Sequence, residues 1–157
     1  AIQTPDDYEA RANLMWNAAW AINGFLKMGK PVAWSVHRME HELSAFYDIT
    51  HGVGLAILTP NWMRYVLSER TEARFARYGT AVWDLDPALP VRELAEAAIQ
   101  KTRNFFTSLG LPAALSELGI GPEHFPEMAR KARTAGFDKT FVPLSAEDIV
   151  HIYQMSL

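Results

Sequence analysis

No stretch of this chain sustains an alternation of apolar and polar residues, and no Asn-Gly or Asp-Gly pair marks a hairpin turn. Apolar residues recur instead at intervals of three and four, between breaks made by Gly, Pro and Ser. A segment that buries one face at helical period exposes half of that face if it is drawn out as a strand, so the pattern excludes most sheet architectures. The expectation is an all-α fold, a multi-helix bundle of seven or eight helices forming a single domain over residues 1–157. A chain of that length buries enough surface to fold without a disulfide or a structural metal.

Thr4-Pro5-Asp6-Asp7 reads as a helix start, with Thr4 as cap, Pro5 at the first helical position and two acids at the positive end of the dipole. The amphipathic run from Tyr8 to Leu26 follows, stopped by Gly29 and Pro31. Trp16 and Trp20, four apart on it, read as core packing. A second helix is expected over 35–47. After a break at His51-Gly52 comes a third apolar segment, Val53 to Leu67, kinked or restarted at Pro60. Helical spacing continues over 71–83, with Phe75, Tyr78 and Val82 on one side. Over 91–109 the stripe is Leu94, Ala98, Ile99, Thr102, Phe105 and Phe106. A short helix over 113–118 ends at Gly119, another over 123–135 is closed by Gly136, and Ser145-x-x-Asp148 resembles a capping box for a last helix over 146–155.

Composition removes several kinds of chemistry. There is no cysteine, so thiol catalysis, disulfides and Cys-ligated zinc are out, and a reducing cytoplasm fits. Net charge is −3, and Arg64, Arg70, Arg74 and Arg77 are interleaved with Glu69 and Glu72, so they read as a solvated face. Nothing recommends nucleic acid as a partner. Apolar runs such as Leu55–Leu58 are far too short to span a bilayer, and the N-terminus has neither the basic start nor the apolar stretch of a signal peptide. No GxGxxG or GxxxxGK[ST] cradles a phosphate, and no nucleophile elbow appears.

Three of the five histidines, His37, His41 and His51, lie within fifteen residues. His37 and His41 are four apart and share a helix face, the spacing that helical metal sites use. His51 falls at an expected helix N-terminus, where the dipole disfavours the imidazolium and keeps a lone pair available. Histidines at this spacing also occur on ordinary helix faces, so spacing alone leaves both readings open. The nearby carboxylates are Glu40, Glu42 and Asp48; Glu40 and Glu42 flank His41 and should point to other sides, which leaves three imidazoles as an incomplete ligand set. Trp34 and Trp62 flank this segment as core residues or as an apolar wall near a substrate. His124 and His151 are assigned no role.

The segment from His37-Arg-Met-Glu-His41 through Asp48-Ile-Thr-His51-Gly52 to Thr59-Pro60 resembles the signature of the iron-containing (group III) alcohol dehydrogenases, closest to their butanol dehydrogenase-like branch. Tyr8-Glu-Ala-Arg-Ala-Asn-Leu-Met-Trp16, Asn23-Gly24, Lys101-Thr-Arg-Asn-Phe-Phe106 and Leu109-Gly-Leu-Pro112 extend the likeness over most of the chain. It is specific at the histidines and weaker beyond Gly121.

The resemblance implies a C-terminal helical domain that holds a divalent metal, Fe²⁺ or Zn²⁺, beside an N-terminal α/β domain that binds NAD or NADP. It implies His37 and His51 as two of the metal ligands. It also implies His41 not as a ligand but as a catalytic residue, a proton relay or positioning group near metal and nicotinamide. The other two ligands, an Asp and a His four apart, have no counterpart, since no Asp-x-x-x-His occurs in this chain. On this reading the chain is a fragment with a cut end at Ala1. Its parent carries out metal-assisted hydride transfer on a small alcohol or aldehyde, and the piece alone is inactive. A surface left by an absent domain is compatible with a homodimer. The alternative is a stand-alone helical metal-binding or interaction module without catalysis.

Overall fold

The computed structural model describes residues 1–29, 32–134, 137 and 140–157. Among these residues it is entirely helical and without strands, with α1 (Tyr8–Ile22), α2 (Ser35–Tyr47), α3 (His51–Tyr65), α4 (Glu72–Trp83), α5 (Val91–Ser108), α6 (Phe125–Thr134) and α7 (Ala146–Gln154). Short 3-10 turns lie at Phe25–Lys27 and Leu115–Leu118. Internal contacts divide the chain into Ala1–Ala33 and Trp34–Leu157. The expected stops at Pro31 and Gly136, and the helix end at Ala135, lie outside the described residues. No helix among the described residues is long and apolar enough to cross a membrane.

In the first unit, the cap of α1 is Asp7, three residues after the first candidate, Thr4. Thr4 to Asp7 form a turn closed by the Asp7 N–H on the Thr4 carbonyl at 3.1 Å, and the Asp7 carboxylate caps by accepting from Ala10 N at 3.0 Å. The helix also ends earlier than its apolar run, because Gly24 adopts φ +86° and the Asn23 amide oxygen accepts from Phe25 N at 2.9 Å. No residue of α1 is buried. Trp16 and Trp20, expected in a core, instead stack edge to face at 5.7 Å, and Trp16 remains exposed. Trp20 packs in turn on Phe25 at 5.1 Å.

The second unit holds the core. Met39 and Leu43 of α2, Ile57 and Leu58 of α3, Ile99 of α5, Met128 of α6 and Ile149 and Ile152 of α7 are all buried in one cluster. Helix α2 packs against α3 and α6, α3 against α5 and α7, and α6 against α7. Helix α3 starts at His51 itself and continues through Pro60, which is buried. Helices α4 and α5 meet closely: a Cβ at Gly79 would lie 3.1 Å from the Ala98 Cβ and 3.3 Å from the Leu94 carbonyl oxygen. This approach makes Phe75, Ala76 and Gly79 the buried face of α4 and leaves Val82 exposed, contrary to the stripe expected from spacing. Phe105 on α5 is likewise exposed, with its ring 5.7 Å from Trp83.

Helix α7 carries the full capping box. The Ser145 hydroxyl accepts from Asp148 N at 3.1 Å, and one Asp148 oxygen accepts from Ser145 N at 2.7 Å. The other Asp148 oxygen accepts from the Tyr65 hydroxyl on α3. Burial works to raise the Asp148 pKa, but the bonds from Tyr65 and Ser145 outweigh it and hold the carboxyl below its ordinary value. Burial and the same contact push the Tyr65 phenol up to about 12. Because the folded value of Asp148 is depressed, its contribution is complete above the unfolded value of about 4 and is lost as pH falls through the folded value. Asp148→Asn cannot replace two acceptor oxygens, and it should cost about 1 kcal/mol at neutral pH. In thermal melts across pH, the gap between variant and wild type should shrink below about pH 4.

Candidate metal centre

Helices α2 and α3 form a tight hairpin. Asp48 ends α2 in the left-handed region at φ 52°, and its N–H bonds to the Ser44 carbonyl at 2.9 Å. Only residues 48–50 separate the helices, so His51 opens α3 beside the helix that carries His37 and His41. The ring centroids of His37 and His51 are 5.1 Å apart, those of His41 and His51 5.3 Å, and those of His37 and His41 6.2 Å. Three imidazoles that the sequence separates by four and ten residues therefore form one cluster. His41 and His51 are exposed and His37 is half-buried. Burial, and then repulsion from His51 and His41, lower the His37 pKa against an opposing pull from Glu40. That favours the neutral ring, the form that can donate a lone pair to an ion.

Behind the rings lies a carboxylate that helix spacing appeared to turn away. Glu40 is fully buried. Its Oε2 accepts from His51 Nδ1, and its Oε1 accepts from the Ser44 hydroxyl at 2.6 Å. The turn places the first residue of α3 over the Glu40 face of α2, which is how a side chain flanking His41 reaches His51. The sequence did contain a signal for this: Glu40 is three residues after His37 and four before Ser44, so all three share a face. Gly54 carries a second signal, because a Cβ there would lie 2.6 Å from Glu40 Cγ. The glycine leaves the room that the carboxylate occupies. Neither Glu42 nor Asp48 joins the histidines. Among the described residues, the group with ligand atoms within 4.8 Å of one another is Glu40, His41 and His51.

Of the two flanking tryptophans, the structure brings one to the cluster. The Trp34 ring lies 4.7 Å from that of His37, whereas Trp62 packs toward Phe141 at 6.3 Å. His124 sits between Phe46 and Tyr47, at 5.3 and 6.0 Å, and His151 lies 6.4 Å from Tyr65. Lys131 pairs with Glu127 at 3.1 Å across one helical turn, as their spacing suggests.

An all-helical domain with three converging imidazoles on one hairpin fits a divalent-metal protein better than any phosphate- or thiol-based chemistry. The chain belongs to the Fe-containing alcohol dehydrogenase family: the model of that family's C-terminal part matches residues 1–157. It is 51% identical over 158 residues to NADH-dependent butanol dehydrogenase A of Clostridium acetobutylicum, a match that covers 99% of this chain and 41% of that protein. It is 36% identical over 137 residues to an NADPH-dependent aldehyde reductase of Escherichia coli, covering 87% of this chain and 35% of the reductase. Among solved structures, NADH-dependent butanol dehydrogenase A of Thermotoga maritima superposes with a TM-score of 0.87 at 34% identity, over 99% of this chain and 41% of the other. The chain thus spans about two fifths of the length of the relatives it matches.

Proposed function

We propose that this chain is the metal-binding C-terminal domain of an NAD(P)-dependent alcohol or aldehyde oxidoreductase that works by metal-assisted hydride transfer. The observation that carries the reading is the convergence of His37, His41 and His51 at ring separations of 5.1 to 6.2 Å on one hairpin. The donor set fits the group: imidazoles suit Fe²⁺ and Zn²⁺ alike, and His51 has its Nδ1 engaged, which leaves Nε2 for an ion. His37 and His51 hold the metal, with further ligands supplied from outside this chain. When bound, the ion would supply Lewis-acid polarisation of the substrate oxygen, with NAD(P) as the hydride carrier.

His41, one turn along α2 from His37, has an exposed ring and binds and releases the proton that accompanies hydride transfer. Trp34, whose ring is tilted against that of His37 at 4.7 Å, lines one side of the cluster. The substrate is a small alcohol or aldehyde, in keeping with the butanol and aldehyde named for the relatives. The nucleotide is held by a preceding α/β domain. The 157-residue chain alone should therefore show no NAD(P)H-dependent reduction of butanal, while a protein extended upstream through a nucleotide-binding domain should. Turnover by the purified chain alone would sink the proposal that it is one half of a two-domain catalyst.

A further inference from the structure

We infer that Glu40 is a positioning residue for the metal centre: its buried carboxylate fixes the ring of His51 as the Nδ1–H tautomer, so that Nε2 faces the ion. This rests on the metal reading of His37 and His51 given above. A neutral imidazole has one N–H and one lone pair, and the partner of one nitrogen decides which form the other takes. Glu40 Oε2 takes the His51 Nδ1–H, while Oε1 takes the Ser44 hydroxyl, which also lies 3.1 Å from the Ile49 carbonyl oxygen. Both carboxylate oxygens are therefore occupied on the inner side of His51. Glu40 is wholly shielded from solvent, whereas the His51 side chain is 45% exposed.

A buried carboxylate of this kind is costly without partners, and here each oxygen has one. The chain also reserves the volume, since Gly54 is the residue of α3 whose missing Cβ admits Glu40 Cγ. A direct ligand would need an oxygen without a partner, and both Glu40 oxygens have one.

The test uses the full-length protein that carries this chain, stripped of metal by chelation. Zn²⁺ affinity is measured by competition with a chromophoric chelator, and the His51 tautomer by ¹⁵N NMR of the apo protein above the ordinary histidine pKa. Glu40→Gln keeps the shape but offers one acceptor for two donors. Its amide can donate to Nδ1 and drive the proton to Nε2, so Zn²⁺ affinity should fall about tenfold. Glu40→Ala should approach a hundredfold loss and shift His51 toward the Nε2–H form. If the alanine variant fails to fold, the isosteric glutamine variant carries the test.

Unchanged Zn²⁺ affinity in Glu40→Gln, with His51 still protonated at Nδ1 in both variants, would overturn the proposal. So would a loss as complete as that of His51→Ala without any change of tautomer, which would make Glu40 a ligand. Failure of the underlying metal reading looks different: His37→Ala and His51→Ala would both leave Zn²⁺ affinity intact. In that event the apo tautomer alone decides whether Glu40 sets the ring.

Discussion

His51→Ala in the full-length protein is expected to empty the metal site and to lower kcat/KM for a short-chain alcohol by about a thousandfold, the equivalent of about 4 kcal/mol of lost Lewis-acid stabilisation. His51 opens α3, bonds to Glu40, and has its ring centroid 5.1 and 5.3 Å from the other two rings. His37→Ala should act in the same direction. His41→Ala should keep the metal and lower kcat instead, by about a hundredfold, as loss of a proton carrier does. Metal content of the purified variants, read beside their kinetics, separates the roles. Should His41→Ala lose the metal while His37→Ala keeps it, the ion sits instead among Glu40, His41 and His51, and the stand-alone binding module becomes the better description.

The second large effect concerns stability. Tyr153 on α7 is fully buried, packs on Phe125 with ring centroids 5.2 Å apart, and donates its hydroxyl to the Met39 carbonyl at 2.7 Å. Burial, with further pushes from Glu42 and Glu40, keeps that phenol protonated by raising its pKa. Tyr153→Ala should cost about 3–5 kcal/mol, the range for emptying an aromatic core position. Tyr153→Phe keeps the packing and removes only the hydroxyl, so about 1 kcal/mol is expected. Denaturant melts of the two variants measure the difference. Met39 immediately precedes Glu40, so Tyr153 also braces the α2–α3 hairpin, and Tyr153→Ala should weaken Zn²⁺ binding as well as folding. Equal melting midpoints for Tyr153→Ala and wild type would contradict this account.

The fold was legible where local chemistry decides the outcome. Helix α2 runs over 35–47, as its spacing predicts, and Ser145 and Asp148 cap α7 as their separation suggests. Sequence reading faltered where tertiary packing decides. Periodicity identifies apolar residues on α1 but not what meets them, so Trp16 reads as core and stands exposed. On α4 the heavier side chains Tyr78 and Val82 outrank Gly79 in any pattern, yet Gly79 marks the place where α5 comes close. At the candidate metal centre the three histidines were visible from their clustering. Glu40 shares a face with His37 and Ser44 by spacing alone, but its contact with His51 depends on the three-residue turn that lays α3 across α2, and a helical wheel drawn on one helix contains no second helix.

That turn also bears on the order of folding. All three imidazoles and the carboxylate lie between positions 37 and 51, so their meeting requires the closure of a very short loop and little chain entropy is lost in forming it. Contacts this local assemble on the fast side of the folding timescale, ahead of long-range pairings such as the one between Tyr153 and Met39. The three histidines of this hairpin thus meet without any long-range pairing of the chain.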